Sequence, residues 1–280
     1  MERAPFPTDG FSGVVRVDGQ TWAFGLADRA HEIPNTPETQ FGIASGTKGI
    51  TALAANAVLP LDQRVRELLG SDLPLIDDRV TVEQLLTHSS GIGDYLDEEV
   101  VDDFEGYLMP IPVHQLATTE DYLEVLHGHP QLFEPGERFK YCNGGYVVLA
   151  LLCERATGTS FYDLVQQHVL DPAGMRDTAF LRSDALPGGA ALGYLADGRT
   201  NVFHLPVRGS GDGGIYTTLD DVDRLWEFVG DQEPVGFVWR DPLRLVGGDA
   251  GVAFKSIRGG YTVISNCSVG AGPVAAALDA

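Results

Sequence analysis

The two ends of the chain carry the patterns of β-strands, and they constrain the fold more than any other feature. Residues 11–17 alternate apolar and polar side chains, and Asp18-Gly19 supplies a two-residue turn into residues 21–26, which predicts a hairpin. Residues 251–257 and 261–266 are a second pair of β-rich runs. The simplest architecture is one antiparallel sheet built from both ends of the chain.

The middle of the chain has the apolar spacing of helices. Helices are predicted over residues 82–87, 144–156, 161–170 and 220–229, and a short one closes the chain at 273–278. Pro172 is expected to end the third of them. The predicted fold class is therefore α+β. Residues 1–280 are predicted to form a single domain, with a sheet part (about 1–60 and 205–280), a helical part (about 61–204) and a groove between them in which an active site would lie.

Composition excludes several classes of partner. The chain has 40 acidic residues against 19 lysines and arginines, a net charge of −21, which repels nucleic acid, anionic membranes and anionic substrates. No apolar run is long enough to insert into a membrane. The first residues lack the pattern of a secretion signal, and an unpatterned set of three cysteines suits a reducing compartment, so a cytoplasmic location is expected.

The first candidate for chemistry is the tetrapeptide that joins Ser45 to Lys48. If Ser45 begins the helix-friendly stretch that follows, Lys48 lies one turn further on the same face. A partly desolvated lysine has a lowered pKa and can remove the proton from a serine hydroxyl. The tetrapeptide is also frequent in proteins without this chemistry, where the lysine is a surface cation.

The second candidate is Tyr141 with Asn143, two residues apart before an apolar helix. Tyr141 can exchange a proton with Ser45 or with a leaving group, and Asn143 can hold Lys48 or a substrate amide. An ordinary core tyrosine followed by an asparagine N-cap is the alternative interpretation of this segment.

Taken together, four segments in order resemble the serine β-lactamase and penicillin-binding protein superfamily, nearly from end to end. The closest likeness is the branch with class C β-lactamases, D,D-carboxypeptidases, D-aminopeptidases and esterases. The segments are 41–48 with its S-x-x-K motif, 81–91 with its L-L-x-H-S-S-G run, 133–146 with its Y-x-N motif, and 213–218. The resemblance implies a β-lactamase-like fold.

The resemblance also implies a serine hydrolase that forms an acyl-enzyme on an ester, an amide, a D-amino-acid peptide or a β-lactam. Ser45 would attack a carbonyl, Lys48 would be the general base in concert with Tyr141, and Asn143 would position the substrate. The expected partner is a small molecule or short peptide, and no cofactor or metal is expected. His127 and His129 lack further ligands nearby and are a weak metal signal.

The third motif of the superfamily, a strand with K-T-G or H-x-G, is altered in this chain. Aligned on its glycines, the motif places Leu245 where the cation stands, while Gly247 leaves room for the ligand and Gly248 offers an oxyanion N–H. Loss of the cation disfavours substrates with a free carboxylate and favours neutral or amine-bearing ones. Asp249 can meet such an amine, although a turn aspartate that faces solvent is the simpler interpretation.

Two lysines lie near the motifs in sequence, and three alternative functions stay open. Lys140 and Lys255 are interpreted as surface charges. A true β-lactamase is disfavoured by Leu245, an acyltransferase shares the same chemistry, and a catalytically idle ligand-binding homologue would have no reason to keep all four motif side chains.

Overall fold

The main sheet joins both ends of the chain in a computed structural model that describes residues 4–232, 234–236, 244–268 and 271–280. The strands are β1 (Gly13–Val17), β2 (Gln20–Phe24), β3 (Leu26–Asp28), β4 (Ile33–Pro34), β5 (Phe41–Gly42), β6 (Tyr216–Thr217), β7 (Arg244–Asp249), β8 (Val252–Ile257) and β9 (Tyr261–Ser265). Within the described ranges, five of them form one antiparallel sheet in the order β2-β1-β9-β8-β7. The α+β fold class is thereby confirmed.

Both predicted hairpins are present. Asp18 and Gly19 have φ angles of 49° and 75°, as the tight turn between β1 and β2 requires. β8 and β9 pair in register from Ala253 with Ser265 to Ser256 with Thr262. The hairpins were predictable because the turn residues and the alternation are local signals.

Helices cover both faces of the sheet. They are α1 (Thr47–Val58), α2 (Val65–Leu69), α3 (Val82–Leu86), α4 (Leu123–Leu126), α5 (Asn143–Thr157), α6 (Phe161–Val165), α7 (Asp171–Ala173), α8 (Leu219–Val229) and α9 (Ala271–Leu278). A π-helical turn, Gln166–Leu170, joins α6 to α7, so the helical path runs through Pro172 and ends at Gly174. Pro172 was therefore wrongly assigned as the end. Proline is tolerated in a first helical turn, whereas Gly174 at a φ of 70° reverses the chain.

Successive residues of the sheet strands pack into two different apolar cores. Val14 and Ile264 pack into the larger core with α1 and α5, whereas Val15 and Val263 pack into a smaller core with α9. A strand buried on both faces places consecutive apolar side chains in different layers. No helix in the described part of the chain combines the length and the apolar character needed to cross a bilayer.

Helix α5 is the central element of the larger core. Its residues from Asn143 to Cys153 are buried, as the nearly uniform apolar pattern predicted. The beginning of α5, the beginning of α1 and strand β7 at the sheet edge come together at one place, and there the sequence motifs converge.

Candidate active site

Ser45 lies in a tight turn that leads directly into helix α1. The turn, Ala44–Gly46, is a 3-10 helix, and the amide of Gly46 donates to the carbonyl of Ile43 at 2.8 Å. Ala44 has a φ of 45°, a left-handed conformation that is costly for a residue with a side chain. The strained turn therefore sets Ser45 at the beginning of the helix, among its unpaired N–H groups.

Lys48 lies one turn after Ser45 and is almost completely buried, with 1% of its surface exposed. Its Nζ is 3.0 Å from Ser45 Oγ, 2.8 Å from Asn143 Oδ1 and 2.6 Å from the carbonyl oxygen of Asp212. Burial lowers the pKa of Lys48, and the nearby carboxylates of Asp212 and Glu98 only partly oppose this effect.

Tyr141 reaches the same serine from the opposite segment. Its hydroxyl donates to Ser45 Oγ at 2.7 Å, and burial raises the pKa of Tyr141 well above its ordinary value. The ring packs against His88 at 4.7 Å between centroids, and His88 Nδ1 accepts from the amide of Cys142 at 3.1 Å. Burial lowers the pKa of His88 to about 3, so the imidazole is neutral and supports the tyrosine ring.

Asn143 connects Lys48 to the neighbouring loop. Cys142 is the N-cap of helix α5, and the Asn143 side chain instead accepts from Lys48 through Oδ1. The Nδ2 group donates to the carbonyl of Leu96 at 3.1 Å and to Glu98 Oε1 at 3.3 Å. The oxygen and the nitrogen of the Asn143 amide are thus both hydrogen-bonded, and these partners define its orientation.

Residues 94–99, called the acidic strap below, wrap around the beginning of helix α5. Asp94 accepts from the amides of Asn143 and Gly144 at 2.5 and 2.8 Å, and burial raises the pKa of Asp94 to about 6. The hydroxyl of Tyr95 donates to the Asp212 carboxylate. The strap therefore contacts both the Asn143 end and the Asp212 end of the site.

Strand β7 packs one face against the turn that carries Ser45, but Gly247 differs from expectation. A Cβ atom on Gly247 would lie 2.1 Å from the carbonyl oxygen of Ile43 and 2.9 Å from the amide nitrogen of Ser45. This glycine makes room for the turn that carries Ser45, whereas room for a ligand was the expectation. Gly248 has open space around its Cα and lines the cavity, and Leu245 is buried in the core.

The cavity in front of Ser45 has acidic and apolar walls. Its carboxylates are Glu98, Asp212 and Asp249. Its apolar wall contains Leu96, Phe104, Met109, Leu181, Leu205 and Val207. Among the lining residues that the structure describes there is neither lysine nor arginine. The cavity is therefore suited to an apolar group joined to a neutral or cationic one.

Asp249 and Lys140 were wrongly assigned to solvent. Asp249 shares a strand face with Leu245 and Gly247, the face that packs on the Ser45 turn, so its half-buried carboxylate lines the cavity. Lys140 is only 8% exposed and forms ion pairs with Asp97 and Glu99 of the acidic strap. Both errors have the same cause. The segments that cover these two side chains are distant from them in sequence, so no local signal indicates the burial.

Sequence reasoning missed the acidic strap and Asp212. A signal for Asp212 existed, because it is the one charged residue of the glycine-rich run from Gly209 to Gly214, where the backbone can approach other segments closely. The strap had no comparable signal, since a run of acidic residues ordinarily indicates a solvated loop.

The strand order and the Ser45, Lys48, Tyr141 and Asn143 constellation define a class of protein. It is the class of the serine β-lactamases and penicillin-binding proteins, which the four sequence segments had indicated. The β-lactamase family model matches residues 6–251, and the chain belongs to this family.

Individual relatives agree with this assignment. A D-aminopeptidase from Brucella anthropi is 31% identical over 79% of this chain and 42% of its own length. Penicillin-binding protein 4* from Bacillus subtilis is 29% identical over 66% of this chain and 41% of its own length. The chain therefore spans less than half the length of these relatives. The structure of a penicillin binding protein from Bacillus halodurans superposes with a TM-score of 0.85 at 33% identity, covering 96% of both chains.

Proposed function

We propose that this chain is a serine hydrolase that forms a covalent acyl-enzyme on Ser45. The observation that carries the proposal is the convergence of two proton-carrying groups on one hydroxyl, with Lys48 Nζ at 3.0 Å and Tyr141 OH at 2.7 Å from Ser45 Oγ. Such convergence on a strained turn is typical of an activated nucleophile. Family membership supports the same reaction class.

Lys48 is the general base in this proposal. A neutral amine has two N–H donors and one lone pair. Its donors match the oxygens of Asn143 and Asp212, which leaves the lone pair for the Ser45 hydroxyl proton. Tyr141 stays protonated because burial raises its pKa, and Leu245 supplies no cation that would favour a tyrosinate.

The reaction then has two halves. Ser45 Oγ bonds to the substrate carbonyl carbon as its proton passes to Lys48, and the oxyanion is stabilised by the N–H groups of Ser45 and Gly248. The bond to the leaving group breaks as Tyr141 gives that group a proton, which the Lys48 ammonium restores to Tyr141. Lys48 then takes a proton from water as the water oxygen bonds to the acyl carbonyl carbon. The bond from that carbon to Ser45 Oγ breaks, the acid leaves, and the Lys48 ammonium returns the proton to Ser45 Oγ.

The acylation rate should depend on pH through Lys48. For an uncharged ester, the rate is expected to rise about tenfold per pH unit until an inflection below the ordinary lysine pKa of 10.5, because the base must be neutral and burial lowers its pKa. Single-turnover release of p-nitrophenol, corrected for spontaneous hydrolysis, measures this profile. An inflection at or above the ordinary lysine value would contradict the assignment of Lys48 as base.

The proposed substrate carries a neutral or amine-bearing acyl group with an apolar side chain. The carboxylates of Glu98, Asp212 and Asp249 attract an ammonium group and repel a carboxylate. Burial, with the neighbouring Asp212 and Glu98 charges, raises the pKa of Asp249 to about 6, so this carboxylate is mostly ionised at neutral pH. The relation to a D-aminopeptidase supports an amine-bearing substrate, and the acidic walls disfavour β-lactams, which carry a carboxylate.

A matched series of p-nitroanilides tests this substrate class. Phenylalanine p-nitroanilide is expected to react faster than its desamino analogue, and the N-succinyl analogue slowest. Asp249→Asn should reduce the preference for the amine about fivefold, since a half-buried ion pair contributes about 1 kcal/mol. The same preference should fall as the pH drops through about 6, where Asp249 becomes protonated.

The control for net charge is Glu38→Gln, which removes an exposed carboxylate that does not line the cavity. This variant should keep the wild-type order of the three substrates. Equal rates for the amine and its desamino analogue, or an equal change in both variants, would contradict the role of Asp249.

A further inference from the structure

Lys140 is adjacent to Tyr141 but faces away from Ser45. Its Nζ lies 3.0 Å from Asp97 Oδ1 and 2.6 Å from Glu99 Oε2. Burial alone lowers the pKa of Lys140, but the hydrogen bonds to Glu99 and Asp97 raise it overall, so the ammonium is charged. Lys140 is therefore a covered cation in contact with two carboxylates of the acidic strap.

Different residues of the acidic strap contact two different partners. Asp97 and Glu99 contact Lys140, whereas Leu96 and Glu98 contact the side-chain amide of Asn143. The Leu96 contact is made by its backbone carbonyl, and the chain then turns, because the amides of Val100 and Val101 donate to the carbonyl of Asp97. The strap consequently lies between Lys140 on one side and the Asn143 amide on the other.

Electrostatics makes the position of the strap depend on Lys140. Four of the six strap residues are acidic (Asp94, Asp97, Glu98 and Glu99), and like charges at this spacing repel one another. Lys140 is the cation that contacts the strap in the described part of the chain. Without it, repulsion would move Leu96 and Glu98 away from Asn143.

We propose that Lys140 is a positioning residue, whose two ion pairs hold the acidic strap against Asn143 and so keep the Asn143 amide oxygen on Lys48. The sequence of contacts runs from Lys140 through Asp97 and Glu99 to the strap, then to Asn143, then to the base. This inference rests on the proposed hydrolase function, because it concerns the orientation of the general base.

The test is a double-mutant cycle with a small uncharged p-nitrophenyl ester. Lys140→Met is expected to lower kcat about tenfold with little change in KM, because a base displaced by a fraction of an ångström acts less efficiently. In an Asn143→Ala background the same substitution should have no further effect, since the contact through which it acts is already absent. Equal losses of kcat in both backgrounds, or no loss in either, would overturn the proposal.

Three further variants separate positioning from general damage. The double variant Asp97→Asn/Glu99→Gln should reproduce the loss without altering Lys140, and it serves if Lys140→Met does not fold. Lys140→Arg, which retains both ion pairs, should recover most of the activity. Lys255→Met breaks the Lys255–Asp279 pair, which does not line the cavity, and should keep wild-type kcat. A loss in Lys255→Met as large as in Lys140→Met would overturn the proposal.

Failure of the proposed hydrolase function and failure of the role of Lys140 give different results. A wild-type protein that the ester does not acylate would refute both the hydrolase function and this inference. A reactive wild type with an equally reactive Lys140→Met variant would refute the role of Lys140 alone.

Discussion

Ser45→Ala is expected to abolish covalent labelling by a fluorophosphonate and to lower kcat/KM for an activated ester by about 10⁴-fold or more. The substitution removes the atom on which Lys48 and Tyr141 converge. Lys48 would keep its contacts with Asn143 and Asp212, so the fold should survive and the melting temperature should change little. Intact-mass spectrometry after exposure to the probe measures the labelling, and peptide mapping locates the adduct.

The matched control is Ser89→Ala. Ser89 belongs to the segment that resembles the family, its hydroxyl is 2.9 Å from Thr87 Oγ1, and it does not line the cavity. This variant should be labelled like the wild type. An unlabelled wild type, or an adduct that persists in Ser45→Ala, would exclude Ser45 as the nucleophile.

Local sequence signals named the side chains at the centre of the candidate site, but they did not show that the two segments meet. Ser45 and Lys48 are one helical turn apart, so their proximity follows from the helix alone. Tyr141 and Asn143 were found because they precede an apolar helix that had to be buried. That this second segment lies against Ser45 is a tertiary fact, and only the resemblance to a family anticipated it.

The surroundings of the site were not predictable, because they depend on segments far apart in sequence. Lys140 meets Asp97 and Glu99 more than 40 residues away, and Asp212 meets Lys48 across 164 positions. A charged side chain in a sequence is ordinarily on the surface, and nothing local shows that another segment covers it. The strand order of the sheet was unpredictable for the same reason. The hairpins are local, but β1 pairs with β9, which lies near the other end of the chain.

Gly247→Ala is expected to lower kcat about 100-fold or more and to destabilise the fold by about 1–3 kcal/mol. The added Cβ would lie 2.1 Å from the carbonyl oxygen of Ile43, 2.6 Å from the amide nitrogen of Gly46 and 2.9 Å from that of Ser45. These are backbone atoms and cannot rotate away as a side chain can. Either strand β7 or the nucleophile turn must move, and both supply groups to the proposed oxyanion site.

Gly248→Ala is the neighbouring control, because a Cβ atom there has nothing within 4 Å and the backbone N–H is retained. With a small ester that does not fill the cavity, its kcat should stay within about threefold of the wild type. Steady-state kinetics and thermal unfolding of both variants make the comparison. If Gly247→Ala were as active and as stable as Gly248→Ala, β7 would not pack tightly on the Ser45 turn. The oxyanion geometry proposed from that packing would then be wrong, even if Ser45 were still the nucleophile.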